Sequence, residues 1–374
     1  MIRTAAGFVA VGALLLGCTS ADQRTDPSTS VAPPKPAHVF VIMLENTSYE
    51  ESFGPDAAMP YLANDLTEQG VLLTQFYGIA HNSLGNYLGQ ISGQAPNPST
   101  QFGCTTYSEF VSTGTGEYGQ VLGDGCVFPS SVLTIGDQLT AAGLTWRAYG
   151  QDMAADPDQA ASCRHPVVGT ADTDQSALPD DGYATRHMPF VYFHSIIDSP
   201  DCATNVVDLD EFEADIATLA STPNLSYLVP GLCDDGHDSP CADGSAGGAP
   251  RADEWLRTWV PKILVSPAMA DGGLLIITFD EAEAGGDLKD AGSCCGDLPS
   301  PNLDGPAGVS GPGGGRIGAV LIGAAVAPGS VSDTSYNHYS LLCSLEQLWG
   351  LDRLGYAGHP STPCFGADVY TAAA

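Results

Sequence analysis

Apolar residues in this chain fall in short unbroken runs rather than in alternation. From His38 to Leu44 the sequence reads His-Val-Phe-Val-Ile-Met-Leu, and similar runs recur at Leu144–Tyr149, Leu225–Val229, Leu274–Phe279 and Ile317–Ile322. Runs of this kind predict strands covered on both faces, as in a parallel sheet. A further strand is placed within Val71–Ile79. Between the strands, helical periodicity marks Met59–Gln69, Val132–Ala142, Leu209–Leu219, Asp253–Val265 and Tyr339–Trp349, and another helix opens at Ser83-Leu84. The alternation predicts a doubly wound α/β fold with a mostly parallel central sheet. Gly-rich stretches at Thr113–Gly125 and Gly285–Gly315 have little periodicity and read as loop insertions that cover a site.

The first residues change the picture of where the chain works. Arg3 precedes an apolar run from Ala5 to Leu16, and Leu15-Leu16-Gly17-Cys18 has the form of a bacterial lipobox. The run is too short to span a bilayer, so residues 1–18 read as a lipoprotein signal peptide whose Cys18 is acylated. Residues 19–37, polar and rich in Ser, Thr, Asp and Pro, read as a flexible tether. Residues 38–374 then form a single domain of an exported, surface-anchored or secreted protein. Eleven cysteines minus Cys18 leave ten, an even number that suits disulfides outside the cell. Cys233 with Cys241 and Cys343 with Cys364 are nearby candidates, and adjacent Cys294-Cys295 is left unassigned.

A formal net charge of -32 with only 12 Lys and Arg excludes a nucleic-acid-binding surface, which needs a basic footprint. Most of these acids simply solvate the surface. Some, however, stand directly after apolar strands, where open α/β sheets bind ligands. Strand ends deliver Glu45-Asn46, His81-Asn82-Ser83, Asp234-Asp235-Gly236-His237-Asp238, Asp280-Glu281 and Asn337-His338. Any one of these is ordinarily a helix cap or a solvated acid. Carboxylates converging on one edge repel, however, unless protons or cations neutralise them. Glu45, Asp235, Asp280 and Glu281 offer hard oxygens, Asn46 an amide oxygen, and His237 and His338 imidazole nitrogens. That mixed set fits a divalent ion and leaves Ca, Mg, Mn, Fe and Zn open. Ser83, at a helix start that favours anions, is a candidate nucleophile for phosphoryl transfer. His81, Asn86, Arg186 and His187 are available to offset charge on the transferred group.

At these residues the chain resembles the bacterial and fungal phosphoesterases that include secreted acid phosphatases and phospholipases C. Leu-Glu-Asn-Thr-Ser-Tyr from Leu44 is similar to that family's Glu-Asn-x-Ser motif, and His81-Asn82-Ser83-Leu84-Gly85-Asn86-Tyr87 to its His-x-Ser-x-x-Asn-Tyr motif. Arg186-His187-x-Pro-Phe, Asp235-x-His237-Asp238, Thr278-Phe279-Asp280-Glu281 and Asn337-His338-Tyr339 leading into Glu346-Gln347-Leu348-Trp349-Gly350-Leu351 extend the resemblance over most of the chain. Within the family it looks most like actinobacterial secreted acid phosphatases, among them a mycobacterial enzyme acting on phosphatidylinositol 3-phosphate. The resemblance implies an alkaline-phosphatase-like three-layer α/β/α fold, a metal held by Glu45, Asn46, Asp280 and Glu281, and Ser83 as nucleophile. His81, His187, His237 and His338 would contact phosphate, protonate the leaving group or complete a second metal site. The implied substrate is a phosphate ester, lipid-derived if the mycobacterial likeness extends that far. Gly85 stands where relatives often carry Pro, the Gly231-Leu232-Cys233-Asp234 turn is less Asn-rich than theirs, and the Gly-rich insertion after Glu281 is longer.

Three other readings use the same residues. A phosphodiesterase or phospholipase C would share the metal and nucleophile. A metal-free serine esterase would take Ser83, Asp280 and His338 in hydrolase order. A surface lipoprotein that binds ligands or calcium would keep the acidic loops without turnover.

Overall fold

The computed structural model describes residues 1–2 and 35–371, without residues 297 and 309. The expected signal peptide, its Cys18 and most of the tether lie outside the described residues.

The chain's most apolar segment forms its central strand. β1 (Val39–Leu44) is buried at every position, which requires cover on both faces. Seven more strands complete the sheet: β2 (Val71–Leu73), β3 (Trp146–Gly150), β4 (Val206–Asp208), β5 (Leu225–Val229), β6 (Leu274–Phe279), β7 (Ala319–Gly323) and β8 (Ser330–Ser332), in the order β8-β2-β7-β6-β1-β5-β3-β4. Only β7 runs antiparallel to its neighbours, β2 and β6; every other pairing in this sheet is parallel. The fold is therefore α/β with a mostly parallel sheet, as the run pattern predicts. Four helices matter for the site: α1 (Ser83–Ser92), α2 (Ile135–Ala141), α3 (Ala249–Leu264) and α4 (His338–Trp349). α4 opens with a capping box in which Asn337 accepts from the Ser340 N–H, the ordinary way to satisfy a first-turn donor.

Two expected helices do not form as single rods. Leu209–Leu219 becomes a 3-10 turn (Leu209–Glu211) and one α turn (Phe212–Asp215). Beyond it, the Thr222 hydroxyl bonds the Asp215 and Thr218 carbonyls and Thr218 meets Ser221. These side chains compete with the helix for backbone partners. Met59–Gln69 is a π-helical stretch (Tyr61–Leu66) followed by a 3-10 turn (Thr67–Gln69), its Tyr61 and Leu62 N–H groups taken by the Asp253 carboxylate of α3. The stretch expected as loop at Thr113–Gly125 instead carries a hairpin, Val111–Thr115 with Val121–Asp124. Its first strand is exposed throughout, so no apolar pattern announced it. β4 and β8 were missed for a related reason: each is only three residues long.

Disulfides join Cys104 to Cys126, Cys163 to Cys202, Cys233 to Cys241, Cys294 to Cys295 and Cys343 to Cys364. The Gly-rich segment after Glu281 lies directly on the chain leading to Ser83. Gly78 N–H donates to the Gly315 carbonyl and Gly314 N–H to the Gly78 carbonyl. A Cβ at Gly314 would sit 2.2 Å from the Ala80 carbonyl oxygen, so only glycine permits this approach. Among the described residues no helix is long and apolar enough to cross a membrane.

Candidate active site

Strand register assembles the carboxylates. Leu44 pairs with Phe279 at the carboxyl ends of β1 and β6, so the next residues, Glu45 and Asp280, emerge side by side. The Asp280 N–H donates to the Leu44 carbonyl at 2.9 Å, and the Glu45 N–H to the Asp235 carbonyl at 2.9 Å, which draws the turn after β5 onto the same edge. Asn46 adopts a left-handed backbone (φ 44°), a conformation Asn tolerates better than most residues. Its N–H donates to Asp280 Oδ1 at 3.0 Å. The Cys233–Cys241 bridge ties down the loop that carries Asp235 and His237.

α1 supplies the other wall. Ser83, Asn86, Tyr87 and Gln90 occupy positions i, i+3, i+4 and i+7 and therefore share one helical face, and all four are buried. The Ser83 hydroxyl donates to Glu45 Oε2 at 2.9 Å and does not cap the helix, whose N-cap is Asn82. Tyr87 stacks on the His187 ring with centroids 5.4 Å apart.

At the centre, Glu45, His187 and Asp235 present ligand atoms that all lie within 4.8 Å of one another. His187 Nε2 is 3.3 Å from Glu45 Oε1, and Nδ1 is 3.2 Å from Asp235 Oδ2. Neither contact has hydrogen-bond geometry, and Glu45 Oε1, Asp235 Oδ2, Asp280 Oδ2 and both His187 nitrogens have no hydrogen-bond partner. A neutral imidazole has one N–H, so it could satisfy at most one of the two carboxylates. Burial, followed by Arg186 and His237, pushes the His187 pKa well below its usual value. Burial also raises Glu45, reinforced by Asp280 and Asp235, and raises Asp235 and Glu281. Asp280, pushed up by burial but relieved by the Asn46 N–H, reaches about 6. A buried set of carboxylates with orphaned oxygens around an imidazole is the donor set of a divalent cation site. Glu45, His187 and Asp235 would hold such an ion, and Asp280, whose charge acts on Glu45 and Asp235 and whose Oδ2 is also unpartnered, is available to it.

The remaining expected site residues separate into two kinds. Asn86 has used its whole amide: Oδ1 accepts from the Ile79 and Ala80 N–H groups, while Nδ2 donates to the Ala80 carbonyl and, at 3.3 Å, to Glu281 Oε2. It shapes the turn into Ser83 and orients Glu281, a correction to its expected place as a substrate ligand. His338 is also corrected, because both its nitrogens are engaged, with Gln90 and with the Asp280 carbonyl, and burial lowers it to about 4. His81 Nε2 donates to the Ala282 carbonyl at 3.2 Å, and burial lowers its pKa. Arg186 stays near the carboxylates, donating to the Gln175 carbonyl and to His237 Nε2 at 3.2 Å. His237 therefore carries its proton on Nδ1, bonded to Asp238 at 2.7 Å. Tyr87, Gln90 and Tyr227 were not singled out in the sequence. The 3.6-residue spacing from Ser83 could have found the first two.

The chain is 24% identical to a probable acid phosphatase of Kluyveromyces lactis over 84% of its own length and 59% of that protein's. It thus spans about three fifths of this fungal relative. It is 26% identical to the phosphatidylinositol-3-phosphatase of Mycobacterium tuberculosis, covering 87% of this chain and 80% of that one. Among solved structures it is similar to an alkaline phosphatase superfamily protein from Vibrio parahaemolyticus, with a TM-score of 0.48, 14% identity, and coverage of 89% of this chain and 72% of that one. The model of the phosphoesterase family matches residues 55–352, most of the chain and all of α1, and the chain belongs to that family.

Proposed function

We propose that this chain hydrolyses phosphomonoesters with Ser83 as nucleophile and a divalent cation held by Glu45, Asp235, His187 and Asp280. The observation that carries the proposal is the set of buried, unpartnered ligand atoms gathered beside the Ser83 hydroxyl. A bound divalent ion would neutralise the carboxylates and act as a Lewis acid toward phosphoryl oxygens. The chain's own groups do the rest. Glu45 holds the Ser83 Oγ at the positive end of α1, where a phosphoryl oxygen is also favoured. Arg186 is the guanidinium available to that oxygen. The Ser83 hydroxyl passes its proton to Glu45, to which it already donates, as its oxygen bonds to phosphorus and the ester P–O bond breaks, and the departing alkoxide takes a proton from bulk water. Water then attacks the phosphoserine, releasing inorganic phosphate and returning a proton to Ser83.

A serine esterase would need a histidine to accept the Ser83 proton. Ser83 instead donates to a carboxylate, while His338 is committed elsewhere. The names of the fungal and mycobacterial relatives support phosphate esters as the substrate class. Export with acylation at Cys18 belongs to the same proposal, and mass spectrometry of the mature N-terminus tests it. The decisive experiment follows release of 4-nitrophenol from 4-nitrophenyl phosphate before chelation, after it, and after return of single divalent ions. Turnover should vanish and recover. Activity indifferent to a strong chelator would remove the cation from the proposal.

A further inference from the structure

The face of α1 that carries Ser83 ends in a buried residue for which the reaction has no use, Gln90. Its amide joins four elements. Oε1 accepts from the Tyr227 hydroxyl of β5 at 2.5 Å, while Nε2 lies 3.1 Å from Met43 Sδ of β1 and 3.0 Å from His338 Nδ1 of α4. His338 Nε2 in turn lies 2.5 Å from the Asp280 main-chain oxygen.

Donor and acceptor rules leave one assignment. A carbonyl oxygen can only accept, so His338 must carry its proton on Nε2. In a neutral ring Nδ1 is then an acceptor and demands a donor. A thioether sulfur likewise has nothing to donate, so the side of the Gln90 amide facing Met43 and His338 must be its NH2 group. The Tyr227 hydroxyl, which can donate or accept, then donates to the carbonyl side.

We infer that Gln90 is a positioning residue that, by fixing the tautomer of His338, holds the main chain of Asp280 in the orientation that turns Asp280 Oδ2 toward the cation site. The inference rests on the reading of Asp280 as a cation ligand. Asp280 is held at three points: its N–H by the Leu44 carbonyl, its Oδ1 by the Asn46 N–H and its carbonyl by His338. Oδ2 is the atom left over. Only the His338 hold depends on a proton that could sit on either of two nitrogens: the Asp280 carbonyl calls for it on Nε2, and the Gln90 N–H donated to Nδ1 keeps it from moving to the other. Partners behind a ligand commonly govern metal affinity and rate in this way.

The test uses the full chain labelled with 15N at histidine, with the His338 signal among the eight histidines assigned by its loss in His338→Gln. Long-range proton–nitrogen spectra of the wild type should show a protonated Nε2 and an unprotonated Nδ1 as the single form. Gln90→Leu should mix the tautomers, and the near-isosteric Tyr227→Phe, which lets the amide turn, should do so to a smaller degree. In Gln90→Leu, kcat toward 4-nitrophenyl phosphate should fall about ten- to a hundredfold, with KM nearly constant. A protonated Nδ1 in the wild type, one unchanged tautomer in both variants, or a mixed tautomer with unchanged kcat would each overturn the inference. Should the wild type turn over no phosphomonoester at all, the proposed function falls. Gln90 is then judged by the tautomer signal together with calcium affinity from calorimetry, which should weaken about tenfold in Gln90→Leu.

Discussion

The clusters of buried charge around Arg164 and around Glu45 are built to opposite rules. Around Arg164, itself only 2% exposed, Asp174 binds the guanidinium through both oxygens at 2.8 and 3.1 Å, and Asp181 adds a third contact at 2.8 Å. The remaining nitrogen reaches the Asp152 and Met153 carbonyls, and Gln159 supports Asp174 from the far side. Nothing is left over. Around Glu45, by contrast, three carboxylates and an imidazole meet with four residues' ligand atoms unpartnered. A satisfied cluster holds chain segments in place. An unsatisfied one costs stability and persists where something else completes it.

The contrast can be broken most severely at Ser83. Ser83→Ala should lower phosphomonoester turnover about a thousandfold or more, while calorimetry still finds the divalent ion. On the scaffold side, Asp174→Ala leaves Arg164 short of its main partner and should cost about 3 kcal/mol of stability, read from denaturant unfolding, with kcat of the folded fraction unchanged. The corresponding change in the other cluster should have the opposite sign. Asp235→Asn removes one of the repelling carboxylates, so in excess chelator the variant should be more stable than the wild type by about 2 kcal/mol, though nearly inactive. A loss of stability there would show that the orphaned atoms are satisfied without a cation.

A pH slope sharpens the rule at a third place. Glu346 is buried with Oε2 unpartnered and 3.6 Å from Arg353, and burial raises it to about 8. A carboxyl raised in the folded state binds its proton more tightly there than when unfolded. Its contribution is therefore complete below about pH 4.5, its ordinary value, and is lost as pH rises toward 8. Chelated protein should accordingly lose stability between pH 5 and 8, and Glu346→Gln should flatten that slope by up to about 1.4 kcal/mol per pH unit. An unchanged slope would mean that Arg353 keeps Glu346 ionised.

The central strands and the residues just beyond them were legible because burial on both faces leaves an unbroken apolar run, and the chemistry must follow where that run stops. Glu45, Asp235 and Asp280 stand at such strand ends, and the family's motifs single them out among the acids there. What stayed hidden depended on partners distant in sequence. Asn86 looks like a phosphate ligand until its four hydrogen bonds are counted, and His338 looks like an acid until Gln90 is found behind it. His187 was expected, with three other histidines, to contact phosphate, protonate the leaving group or complete a second metal site, and its place between Glu45 and Asp235 depends on side chains far apart in sequence. The Leu209–Leu219 helix failed for a local reason, a Ser/Thr cluster whose hydroxyls take the backbone's partners.

The glycine-laden stretch that crosses the approach to the nucleophile resembles filler when judged by composition. Gly314 and Gly315 nevertheless rest main chain against main chain with Gly78 and Ala80, so a methyl group at Gly314 has nowhere to go. A saturation library should therefore return an inverted map, with Gly314 and the glycines packed around it among the least permissive positions in the molecule and the exposed strand at Val111–Thr115 among the most forgiving. Whoever wishes to reshape access for bulkier esters would do better to leave these glycines alone.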